Sequence, residues 1–301
     1  MSSLTVSYLV IAGGGGGSRP PVASYSEWGS GAGAGGYRNS YSGDTYSGRN
    51  SSIESALTLS TGTNYTVTVG GGGARATSVG SAGSNGSNSV FSTITSTGGA
   101  RGTNGQTAGI AGGSGSGGGS SQTVTYAGGA GTAGQGFDGG DGANVWNTLY
   151  SRPGGGGGAG EEGKIGASAG VGGDGGNGLA STITGKSVFR AGGGAAGCYN
   201  RDVGVGGRGG GGDGANFANG DRGKVVPATP GMVNTGGGGG GGTGYDAANG
   251  YPGSGGSGVV ILRYPNTYTI TVGSGLTSIT TSVGTDKVTV FTTGSDSISF
   301  S

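Results

Sequence analysis

Few side chains in this sequence could do chemistry, and their spacing closes off most enzymology. Its 301 residues contain no histidine and one cysteine, Cys198. Serine–histidine and cysteine–histidine nucleophile pairs are therefore excluded, as are histidine- or thiolate-rich metal sites and an intrachain disulfide. The acids are scattered. Glu161 and Glu162 are adjacent, which suits solvation better than acid–base work. Two phosphate-loop look-alikes fail on their chemistry. Residues 158–164 have Walker-like spacing, but Ile165 replaces the required Ser/Thr and two glutamates in the loop would repel phosphate. Ahead of Gly185, Lys186 and Ser187, Ala180 stands where the first glycine belongs. Residues 139–145, 172–180 and 211–217 each contain Gly-Gly-Asp-Gly followed by a second residue and Asn. A calcium β-roll needs such units in tandem at nine-residue spacing. These are isolated, so Asp and Asn are expected to cap or turn the chain. No cofactor is expected, with calcium the one ion these turns suggest, and no catalysis.

Recognition is better supplied. Segments 18–28, 137–153, 198–201, 216–232 and 245–252 interrupt glycine-rich stretches and carry both tryptophans, several tyrosines, and Asn and Arg. Loops of this composition bind diverse surfaces at low entropic cost. The candidate receptor-binding residues are Trp28, Asn144, Trp146, Asn147, Tyr150, Arg152, Tyr199, Arg201, Phe217, Arg222, Tyr245 and Tyr251. The same rings could instead fold back over the chain. For Trp146 and Tyr150 the two uses stand level.

The elements that would position these segments are written in glycine. Eighty-six residues are glycine, and runs of it repeatedly follow short alternating apolar stretches. Residues 8–12 lead into 13–17, 65–69 into 70–73, 123–127 into 128–131, and 187–191 into 192–194. Strict threefold glycine spacing is absent and there are only seven prolines, which excludes collagen. Charged residues are 10% of the chain and Tyr, Val, Thr and Ile are frequent, which argues against disorder. Polyproline-II geometry has three residues per turn and no internal hydrogen bonds. Glycine rods of that shape can lie side by side and pair through their backbones, meeting the demand that buried N–H and C=O groups be satisfied. The expected fold class is all-β with glycine-rich polyproline-II-like (polyglycine II) rods and essentially no α-helix.

Three sections are expected. Residues 1–101 form a β-rich entry section, in which Leu4, Val6, Tyr8 and Val10 face one way and Leu9 and Ile11 the other. Residues 102–264 form the rod body with its interrupting loops. Its closing strand at 259–262 is continuously apolar, should be buried on both faces, and should return to the N-terminal strands. Residues 265–301 form a separate small β unit with turns at 273–275, 284–286 and 294–296, docked on the main domain or on another chain. The formal charge is +1, with no basic stripe, so nucleic acid and anionic membranes are poor partners. No apolar run reaches membrane-spanning length. The start, Met1-Ser-Ser, lacks the basic residues of a secretory signal, so synthesis in a cytoplasm without a signal peptide is expected.

Residues 8–17, the strand and glycines at 65–73, the repeated Ala-Gly-Gly pieces and residues 255–264 resemble the glycine-rich domain of bacteriophage tail-fibre and related virion proteins. The body is also similar to T-even-type tail-tip adhesins, in which a polyglycine II sandwich carries variable host-binding loops. The resemblance implies a virion fibre or tail-tip protein that binds a host cell-surface receptor. It would contact other virion proteins through its N-terminal strands or C-terminal β unit, in a homo- or hetero-oligomer. Two other functions fit the composition: a purely structural fibre or capsid-fibre subunit, and an ice-binding protein. Loops with aromatics and arginines argue against the regular, uncharged face that ice requires.

Overall fold

The computed structural model describes residues 2–21, 28–121, 124–143, 152–166, 171–198, 204–217, 224–244 and 250–301. Its strands in chain order are β1 (Ser3–Ile11), β2 (Tyr37–Asn39), β3 (Leu57–Ser60), β4 (Tyr65–Thr68), β5 (Ser89–Phe91), β6 (Ile94–Ser96), β7 (Leu179–Ser181), β8 (Val188–Arg190), β9 (Asn216–Phe217), β10 (Val225–Val226), β11 (Val259–Pro265), β12 (Ile270–Val272), β13 (Leu276–Val283) and β14 (Asp286–Phe300). Among the described residues there is no α-helix, and the one helical turn is a 3-10 turn at Gly48–Asn50. The chain is all-β, as its composition predicts.

Ten strands form one strongly coiled, nearly closed antiparallel sheet in the order β2-β1-β11-β14-β4-β5-β6, with β3 on β1 and β12 and β13 on β14. The period-2 pattern of β1 sorts its side chains as expected. Leu4, Val6, Tyr8 and Val10 enter one core with Val67, Phe91, Phe291, Ile298 and Phe300. Leu9 and Ile11 enter a second core on the opposite face, with Tyr37 and the rod alanines Ala34, Ala159 and Ala191. The continuous apolar run of β11 is explained by the same geometry. Val260 and Leu262 face the first core, and Val259 and Ile261 the second. β11 pairs with β1, placing Ile11 opposite Val259.

The C-terminal residues, expected to dock on the main domain or on another chain, give the sheet its longest strand. Asp286 to Phe291 of β14 pair with β11, and Ser295 to Ile298 pair with β4. The turns at 273–275 and 284–286 are present, but the one expected at 294–296 is not. Gly294 takes φ +101° inside β14, a backbone state that glycine adopts without Cβ strain. It lets the strand bend from one layer to the next instead of reversing.

The glycine runs form a lattice. Consider the rod at residues 12–19. Ala12 and Gly15 donate their N–H groups to Gly36 and Gly33, Gly13, Gly16 and Arg19 to Ser87, Ser84 and Ser81, and Gly14 and Gly17 to Gly256 and Gly253. Each partner set recurs every third residue, which is the pitch of a threefold rod. In return, Gly13 and Gly16 accept from Gly99 and Gly102, Gly14 and Gly17 from Gly73 and Ala76, and Gly15 and Ser18 from Gly239 and Gly242. The donor partners run antiparallel and the acceptor partners parallel, so one rod is bonded to six others. The rod at 29–36 also has six neighbours, donating to 154–157, 236–239 and 97–100 and accepting from 12–15, 114–117 and 194–197, with 154–157 parallel to it and the other five antiparallel. Side chains are excluded by the spacing. A Cβ on Gly14 would lie on the carbonyl oxygen of Gly237, and one on Gly238 on that of Ala32.

At the margin of the lattice, where a rod lacks a sixth neighbour, short polar side chains replace the missing carbonyl. Asp138 and Asp141 accept from Gly131 and Gly128, Asp174 and Asn177 from Val205 and Arg208, and Asn88 and Asn85 from Gly98 and Arg101, all at 2.7–2.9 Å. Each pair is spaced by three, so both members lie on one face of their rod. The Asp/Asn-Gly segments therefore serve the capping role expected of them.

Candidate functional site

The rods have two ends, and their contents differ. At one end they run into the sheet: Ala12 bonds Gly36, Tyr37 bonds Gln135, and Ala159, Ala191 and Thr235 follow in a chain of backbone bonds. At the other end the neighbours are Gly29 and Gly242, Ser30 and Thr103, and Cys198 and Ala215. The same level holds the bridges between Trp28 and Thr243 and between Ala143 and Arg152. Segments 22–27, 122–123, 144–151, 167–170, 199–203, 218–223 and 245–249 lie outside the described residues. Each is bounded on both sides by described residues of this distal level.

Of the twelve candidate recognition residues, Trp28, Arg152, Phe217 and Tyr251 are among the described residues. Asn144, Trp146, Asn147, Tyr150, Tyr199, Arg201, Arg222 and Tyr245 lie outside the described residues. Trp28 and Phe217 are buried, ring against ring, with centroids 5.5 Å apart at 87°. With Ala215, Val225 and Ala228 they make a third small core beneath the distal level. Their rings face each other and not solvent, so they support the end face instead of forming its contact surface. Tyr251 is half-buried, with the guanidinium groups of Arg19 and Arg75 at 4.7 Å and 4.8 Å from its ring centroid. Arg19 is itself buried and donates from Nε to the Thr243 carbonyl at 3.1 Å. Arg152 receives a backbone anchor, its N–H donating to Ser120 Oγ at 2.9 Å. Arg152 Nε and Asn216 Oδ1 are buried without a hydrogen-bond partner, which leaves polar capacity at this end.

Sequence reasoning did not single out a polar cluster beside the sheet. Glu54 accepts from the Tyr8 phenol at 2.8 Å, from Arg38 Nη2 at 2.6 Å and from Ser47 at 3.3 Å. Burial, and then the bond to Glu54, push the Tyr8 phenol well above its usual range. An open cleft of about 410 Å³ runs past Arg38, Glu54 and Gln135. The carboxylate is saturated by three donors and the guanidinium is paired with it, so the cluster is built to hold β1, β2 and the following loop together. The signal for it was the polar pair Arg38 and Glu54 flanking a serine-rich turn. That pattern does not point to the buried Tyr8 that completes the cluster. Among the described residues no group of His, Cys, Asp and Glu could hold a metal ion, and no helix is long and apolar enough to cross a membrane.

Residues 2–265 match the family model described as glycine-rich domain, and the chain belongs to that family. No curated protein matches the chain.

Proposed function

We propose that this glycine-rich-domain protein is a non-catalytic binding protein of a bacteriophage fibre or tail tip, whose distal face contacts a host cell surface. The observation that carries the proposal is the division of labour between the ends of the rods. The rods have almost no side chains with which to tell one partner from another. Five segments that carry Trp, Tyr, Asn or Arg, 22–27, 144–151, 199–203, 218–223 and 245–249, have their flanking residues at the end away from the sheet. A rigid bonded scaffold that fixes both ends of a binding segment lowers the ordering entropy lost on binding. Interface energy concentrates in a few Trp, Tyr and Arg anchors worth about 2 kcal/mol or more each.

The test replaces residues 144–151 and 218–223 by Gly/Ser stretches of equal length and measures adsorption of labelled protein to a panel of bacterial cells. Trp146→Ala or Tyr150→Ala is expected to weaken adsorption roughly thirtyfold, since about 1.4 kcal/mol is tenfold, with melting unchanged. Full adsorption after both replacements overturns the adhesin proposal and leaves a structural fibre subunit in its place.

A further inference from the structure

The sheet has five outer edges, and four of them are closed. β2 is three residues long, and its Tyr37 N–H donates to Gln135 O while its Asn39 N–H donates to Ser47 Oγ. β3 is four residues long, and Tyr65 Oη bonds both the N–H and the C=O of Ser60. β6 is three residues long and is overlaid by Arg38, which donates to Thr95 O. β12 is also three residues long. Shortness and side-chain cover are how natural sheets prevent unwanted pairing.

β13 has neither protection. It is eight residues long, pairs with β14 alone, and contains no charge, proline or glycine. Thr277 and residues 279–282 are exposed, and Ile279 is 69% exposed. Ile279 is registered opposite Val290, which packs on the second core. The exposed isoleucine therefore sits at the rim of that core, on the face the core would extend across if another strand were added. Lone pairs and N–H groups on the outer side of β13 form a continuous row there. On the opposite, β14 side, the register shifts between Thr277 and Ser278, and Thr292 Oγ1 donates to the Thr277 carbonyl at 3.5 Å.

We propose that β13 pairs antiparallel with β13 of a second copy of this chain, giving a twofold dimer with a sheet continuous across both subunits. A second copy is favoured over another partner because the strand suits itself. A twofold axis at Ile279 sets Ile279 against its own copy and Thr277 against Thr281. Isoleucine and threonine pairs of this kind stabilise antiparallel strands, and no like charges meet. The contact is isologous, so it closes at two subunits and does not propagate into a fibre. The inference does not depend on the proposed function, because β13 lies at the sheet and not at the distal level.

The experiment is sedimentation equilibrium of the full chain across a concentration series, with Ile279→Lys and Thr281→Pro variants alongside. A dimer is expected for the native chain. Each variant should shift the dissociation constant upward by at least tenfold, with far-ultraviolet circular dichroism and melting of the monomer unchanged. Slowed amide exchange in residues 277–283 of the native dimer, lost in Ile279→Lys, would place the contact on β13. A monomer at all concentrations overturns the proposal, as does a dimer that Ile279→Lys leaves intact with β13 amides still exchanging freely. Should Thr281→Pro disturb the fold, Ile279→Lys decides alone, since its side chain points to solvent.

Discussion

In the sheet, side chains hold the backbone. Phe91, Phe291 and Phe300 are buried at 0–1% exposure between its two layers, and strand pairing follows where they pack. In the rod lattice the backbone holds itself. Gly14, Gly15 and Gly16 each donate in a different direction, and the role of the side chain is to be absent. Glycine loses more freedom on ordering than any other residue. Six-neighbour bonding is what recovers that loss where no apolar surface exists to be buried. A core can be rearranged by repacking, whereas a lattice of carbonyls at fixed spacing has nothing soft in it.

The sharpest way to break this contrast is to add side chains to the lattice. Gly14→Val and Gly238→Val should each cost more than about 4 kcal/mol, the range reserved for gross disruption, and leave little soluble folded protein. Gly71→Val is the control. A Cβ there meets nothing within 4 Å, so melting should move by no more than about 0.5 kcal/mol equivalent. Equal tolerance at all three positions would mean the rods are not packed. Next in size is a hole in the sheet. Phe291→Ala should cost about 3–5 kcal/mol in denaturant titration yet leave a folded chain, which would show that the sheet repacks where the lattice cannot.

The smallest effect sharpens the boundary between the two regions. Asp138 at the lattice margin accepts from Arg49 at 2.7 Å and from the Gly131 N–H. The Arg49 bond, with the Gly131 bond assisting, holds its carboxyl below the usual carboxylate range. A depressed folded value means the stabilisation is present above the unfolded carboxylate value of about 3.9 and is lost as pH falls through the folded one. Both side chains are about a third exposed or more, so the contribution is about 0.2–1 kcal/mol. Asp138→Asn should flatten the acid limb of the stability–pH profile by that amount, measured by urea titration between pH 2 and 6.

Much of the fold was legible in the residues. The alternation at 4–11 gave both faces of β1, and the unbroken run at 259–262 gave a strand buried on two sides. Strands followed by glycines gave anchored rods. What could not be read is which rod neighbours which, because a glycine run has no side-chain code and its partners are set by geometry at a distance. One part of that code is present in the side chains that were expected to cap the rods. Acidic and amide residues three apart, as in Asp138 and Asp141 or Asp174 and Asn177, mark rods at the margin. The bend at Gly294 was read as a turn because Gly-Ser-Asp is turn chemistry, and only the pairing of β4 with β14 overrides it. Of the twelve candidate recognition residues, eight lie outside the described residues. Composition alone did not mark Trp28 and Phe217 as a pair that packs together beneath the distal level.

The three-direction bonding of the first rod also sets a timetable for the ribosome. Gly14 emerges early but donates to Gly256, and β1 pairs with β11 only after residue 259 has been made. At about 5–20 residues per second, the opening rod waits on the order of tens of seconds for its last neighbour. Throughout that wait the Gly14 and Gly17 amides, whose partners are Gly256 and Gly253, are bonded to water. The lattice therefore closes late, and contacts this far apart in sequence make for slow folding.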